Sequence, residues 1–90
     1  MKVSVLSLKL TRVNPLIDSS KTEEDGKLCR DIFIEGRSGV KILARIDETK
    51  VDTYRTDFNG FSSLEDEERE QLVSIIKEYS ATPLEVRLTK

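Results

Sequence analysis

Ninety residues suffice for one compact domain, and they carry 15 Lys and Arg against 17 Asp and Glu, a net charge of −2, with no histidine and one cysteine. That balance leaves neither the broad basic surface that attracts nucleic acid or anionic membrane nor the acidic surplus of a nucleic-acid mimic, except as a local patch. The missing histidine removes Ser-His and Cys-His nucleophile pairs, and with a single cysteine it removes structural zinc and any internal disulfide.

The chain opens on MKVSVLSLKL, which has neither the apolar core nor the small-residue cleavage site of a signal peptide. No apolar run approaches the roughly 20 residues of a membrane span. A lone cysteine fits a reducing compartment, so the expectation is a cytoplasmic protein without a membrane partner. Val3 to Val13 reads as a first strand, with Val3 and Val5 on one face, Leu6, Leu8 and Leu10 on the other, and a bulge near Val5–Leu6 to reconcile them.

Asn14 to Lys27, NPLIDSSKTEEDGK, reads as a long polar loop. Binding residues concentrate on such connections, which makes Asp18, Lys21, Glu23, Glu24 and Asp25 candidate contacts for a partner. Asp18 to Asp25 departs from a calcium-binding loop at Lys21 and in lacking a glycine at the sixth position.

Leu28 to Asp47 predicts a β-hairpin about a three-residue loop, Arg37-Ser38-Gly39, with Gly39 in the left-handed region. The implied register pairs Gly36 with Val40, Ile34 with Ile42 and Ile32 with Ala44. On the other face it pairs Glu35 with Lys41, Phe33 with Leu43, and Asp31 with Arg45. Cys29 falls within this hairpin as a small buried residue, while Arg37 and Ser38 at the tip are further candidate contacts. Gly36 to Lys41 lacks both the spacing and the strand-to-helix setting of a phosphate-binding loop.

A weaker strand spans Val51 to Phe58, with Tyr54, Thr56 and Phe58 on one face. Tyr54, Arg55 and Phe58 interleave aromatic and basic groups, the composition of a platform for single-stranded nucleic acid, though core filling is the better explanation of the aromatics. The spacing of Leu72, Ile75, Ile76 and Tyr79 predicts an amphipathic helix from Ser63 to Ser80, stopped by Thr82-Pro83. Its start places five carboxylates in the six positions from Glu65 to Glu70. Capping boxes of Ser62 with Glu65 or Ser63 with Asp66, together with the helix dipole, account for four of them. Glu68, on the Leu64–Leu72 face, is the acid left over and a candidate contact. A last strand carries Leu84, Val86 and Leu88 on one side, just after Pro83.

The expected fold is a single α+β domain: a small antiparallel sheet of four to five strands with one amphipathic helix packed on one face, in the order β-β-β-(β)-α-β. No pair of carboxylates is set apart in apolar surroundings, and no cofactor or metal site emerges, which argues against catalysis. The expected function is a non-catalytic interaction protein of adaptor or inhibitor type, such as an accessory protein of a virus or mobile element. Its partner is a protein, with nucleic acid as the alternative and pairing of two copies through a sheet edge as a further route.

Overall fold

The computed structural model describes residues 1–37 and 39–87. Helix α1 (Val3–Val13) leads into an antiparallel sheet in the order β1-β2-β3-β4. The strands are β1 (Ile17–Glu24), β2 (Lys27–Gly36), β3 (Gly39–Asp47) and β4 (Tyr54–Arg55), and the helices α2 (Asn59–Ser62), α3 (Asp66–Ala81) and α4 (Leu84–Arg87) follow. The α+β class and the four-stranded antiparallel sheet are as expected, but three elements differ in kind.

The first is α1, a helix where a strand was expected. Leu6 and Leu10 are fully buried, with Val3 and Val13 packed partly against them. Steps of three, four and three residues place all four on one helical stripe, so the apparent slip in strand alternation is the helical period. The helix runs antiparallel to α3. Lys9 Nζ lies 3.0 Å from Glu78 Oε2, and Asn14 Nδ2 donates to Glu68 Oε2 at 3.3 Å.

The second is β1, which occupies the expected loop of residues 14–27. Asp25 (φ 52°) and Gly26 (φ 79°) both adopt positive φ and close a two-residue turn of the kind whose twist matches paired strands. Ile17 is the one residue of β1 that is fully buried, which is why the strand carries no apolar alternation.

The third is α4, formed by Leu84–Arg87 in place of the last strand. The N–H groups of Val86 and Arg87 both donate to the Pro83 carbonyl, so Pro83 begins a helical turn, another position where its missing donor is harmless. Leu88 lies outside the described residues.

The β2–β3 hairpin keeps the expected pairs Asp31–Arg45 and Ile32–Ala44, then slips by one residue. Phe33 faces Ile42, Ile34 faces Lys41, Glu35 faces Val40 and Gly36 faces Gly39. Leu43 is therefore the extra residue of a bulge, and the slip buries Leu43 and Ala44 together, which strict alternation forbids. Two positions, 37 and 38, separate the strands instead of three, although Gly39 has the expected positive φ of 106°.

The weaker strand shrinks to Tyr54–Arg55, and α2 sits beside the remainder of β3. Helix α3 starts three residues later than expected. Glu65 is its N-cap without a side-chain cap bond, because the Ser62 and Ser63 hydroxyls donate to the Asn59 and Gly60 carbonyls of α2. Neither capping box forms. Asp66, Glu67 and Glu68 do fill the first turn, where the dipole favours negative charge, and Arg69 bonds Asp66.

Both long helices cover the sheet face that carries Ile17, Ile32, Ala44 and Ile46, and with Leu72, Ile76 and Tyr79 they complete the core. Among the described residues, no helix is long and apolar enough to cross a membrane.

Candidate functional site

The candidate contacts divide among four places. Asp18, Lys21, Glu23 and Glu24 lie on β1, and Asp25 is in its turn. Arg37 is exposed at the hairpin tip, and Ser38 lies outside the described residues. Glu68 is half-buried and holds Asn14, so it ties α3 to the end of α1. Tyr54 and Arg55 form β4 with Phe58 close by.

Strand β1 is one edge of the sheet. The Glu35 N–H donates to the Leu16 carbonyl at 3.0 Å, so even-numbered residues from Leu16 to Glu24 turn their backbone groups toward β2. Ile17, Ser19, Lys21 and Glu23 therefore turn theirs outward. The first two of these donors are already occupied. Ile17 N–H bonds the Asn14 carbonyl at 3.0 Å, and Ser19 N–H bonds Asp18 Oδ1 at 2.7 Å. Asp18 thus blunts one half of the edge, and Lys21 and Glu23 form the open half. Lys21 lies across the β1–β2 ladder from Arg30, another cation, and neither Lys21 nor Glu23 takes part in an ion pair among the described residues.

The sheet face away from the helices carries a second cluster. Two guanidiniums approach the Phe58 ring, with Arg45 5.8 Å and Arg55 5.4 Å from its centroid. Arg45 holds Asp31 and Glu24, each at 2.6 Å, and these hydrogen bonds raise its already high pKa. Arg55 reaches Asp57 at 3.2 Å and Glu24 at 3.6 Å. Three carboxylates thus surround two arginines, so the aromatic–basic pattern legible in the sequence does not amount to a basic platform.

A recess of about 250 Å³ opens on the same face between Lys27, Cys29, Asp47 and Arg55. Burial pushes the Cys29 thiol up, with Asp47 and Glu24 adding to it, which is the opposite of what a nucleophilic thiolate needs. Burial alone would raise the Asp47 carboxyl, but the Thr49 hydroxyl and N–H, 2.6 and 2.7 Å from Oδ1, hold it below its ordinary value.

The densest polar arrangement lies elsewhere. Glu48, 3% exposed, accepts hydrogen bonds from Arg30 Nε (3.3 Å), the Tyr79 hydroxyl (2.9 Å) and Arg87 Nη1 (3.2 Å). Arg87, 1% exposed, also donates to the backbone carbonyls of Thr82, Asp47, Lys50 and Ser80, and its guanidinium lies 5.2 Å from the Tyr79 ring centroid. Every member is occupied by another, so the network locks α4 to the β3–β4 connection and presents nothing to a ligand.

Burial, the Glu48 charge and the bond to Glu48 push the Tyr79 phenol up to about 12. The folded protein therefore keeps this proton after the unfolded chain, near its ordinary value of about 10, has lost it. Stability is intact below the unfolded value and declines as pH rises through the folded one, by about 1.4 kcal/mol per pH unit. Urea midpoints should fall from about pH 10 toward pH 12, and Tyr79→Phe should flatten that limb. A limb of equal slope in Tyr79→Phe would assign it to other groups.

No family model matches the chain, and neither curated proteins nor solved structures provide a significant match.

Proposed function

We propose that the chain is a non-catalytic interaction protein that binds a protein partner by accepting an added strand at β1. What supports this reading is the outward-turned backbone of Lys21 and Glu23, which has no partner among the described residues. The far edge of the sheet is occupied along β3 by β4 and α2. Strand addition draws affinity from main-chain hydrogen bonds and specificity from the side chains that alternate along the strand.

Lys21→Pro tests the proposal. The Lys21 N–H points away from β2, so proline removes an outward donor while the β1–β2 ladder keeps its bonds. Affinity purification should recover a partner with the native chain and lose it with Lys21→Pro, at a thermal stability unchanged to within about 0.5 kcal/mol. Equal recovery by both chains would place the contact elsewhere.

Single-stranded nucleic acid at Tyr54, Arg55 and Phe58 is the alternative, favoured by the two guanidiniums that approach the Phe58 ring. The carboxylates of Glu24, Asp31 and Asp57 on those same guanidiniums weigh against it. Salt-sensitive oligonucleotide retention that disappears in Phe58→Ala would favour this alternative.

A further inference from the structure

We propose that the occupant of the β1 edge is β1 of a second copy, in an antiparallel two-fold pairing centred on Thr22. The inference rests on the edge reading above and names its partner. Two copies related by a two-fold axis must pair the open half of one edge with the open half of the other, because Asn14 and Asp18 already hold the donors of Ile17 and Ser19.

Only a few registers bring outward-turned residues face to face. Centring on Lys21 sets Lys21 against its own copy, and centring on Glu23 sets Glu23 against its own copy, both like-charge contacts that destabilise a sheet. Centring on Ser20 places Ser19 opposite Lys21 and requires Ser19 to release Asp18. Centring on Thr22 avoids all three. Lys21 then faces the second copy's Glu23, and Glu23 faces its Lys21, each pair exchanging two backbone hydrogen bonds.

The side chains of Lys21 and Glu23 lie on one face of the sheet, so the facing residues carry opposite charge twice over by symmetry. On the other face Thr22 meets its own copy, a β-branched pair suited to a strand. Within one chain Lys21 faces the cationic Arg30 across the ladder. The second copy's Glu23 gives it the carboxylate that the described residues of its own chain do not. The pairing is short and its charges are exposed, so the association is weak and loosens in salt.

Charge exchange tests the register as well as the dimer. Sedimentation from micromolar to millimolar concentration should show a salt-sensitive dimer of the native chain. Lys21→Glu should weaken it by at least about tenfold by facing acid with acid, and Glu23→Lys should do the same by facing base with base. An equimolar mixture of these two variants should dimerise again, because the carboxylates of the first chain then meet the ammonium groups of the second at both facing pairs. The double variant Lys21→Glu/Glu23→Lys should also self-associate. Circular dichroism on each variant checks that the fold is retained. A native chain that stays monomeric, or a dimer insensitive to both single exchanges, would overturn the inference. If Lys21→Pro nonetheless abolishes capture of a different protein, strand addition stands and the second copy is not the occupant.

Discussion

Arg87→Ala is expected to lower the free energy of unfolding by about 3–5 kcal/mol, against a total of roughly 5–15 kcal/mol for a domain of ordinary stability. Truncation removes donors from four backbone carbonyls and leaves the Glu48 carboxylate, whose side chain has no exposed surface, with Arg30 and Tyr79 alone. Buried acceptors without donors are costly because water cannot replace what is lost. Lysine keeps the charge but offers three donors from one point, so it cannot span carbonyls on both the α3–α4 turn and the β3–β4 connection. Arg87→Lys should therefore recover only part of the loss.

The informative comparison is the double variant Arg87→Met/Glu48→Leu. Removing one partner strands a buried charge, whereas replacing both with apolar groups of similar size removes the reason for the penalty. Arg30 and Tyr79 would lose Glu48 as well, so recovery should be incomplete but clearly more than additive. Urea unfolding followed by circular dichroism reads all of these. If Arg87→Ala costs no more than an ordinary surface change, within about 0.5 kcal/mol, α4 is not docked in solution.

None of that network was legible in the sequence, for a physical reason. Arg87 and Glu48 are 39 residues apart, and nothing near either one marks it as buried. The hairpin was legible because β-branched runs and a charge pair, Asp31 with Arg45, fix the register between neighbouring strands. It failed at Leu43, because the bulge answers to burial against Gly60 and α2, which lie well along the chain. In α1 the spacing of Val3, Leu6, Leu10 and Val13 was visible but overlaid by Val5 and Leu8, exposed apolar residues that imitate strand alternation.

Strand β1 shows the opposite problem. Its Asp25-Gly26 turn signal was present, but a polar edge strand lacks the apolar alternation by which strands are recognised. The structure places the acids and Lys21 of residues 14–27 on an edge strand and its turn, and not on an irregular loop. In the acidic helix start, Asp66 bonds Arg69 and Glu68 holds Asn14, and both lie in the first turn of α3, where the helix dipole favours negative charge.

Gly60→Ala should destabilise the fold by about 1–3 kcal/mol, although alanine is the better helix former. A Cβ at Gly60 would stand 2.6 Å from the Ile42 carbonyl oxygen, and 3.2 Å from Leu43 Cδ2 and Lys41 Cβ. The nearest of these is backbone in a paired strand, so it cannot swing aside as a flexible side chain would. Helix α2 must instead lift away from β3, which loosens the packing over the buried Leu43 at the bulge. The gain in helix propensity, at most about 1 kcal/mol and in a helix of only four residues, is too small to compensate. Gly36→Ala is the matched control, since a Cβ there meets nothing within 4 Å and its backbone lies in the ordinary region. Its expected change is within about 0.5 kcal/mol. Equal urea midpoints for the two variants would mean that α2 does not rest on β3 as closely as Gly60 permits, and that the edge of the sheet opposite β1 is open as well.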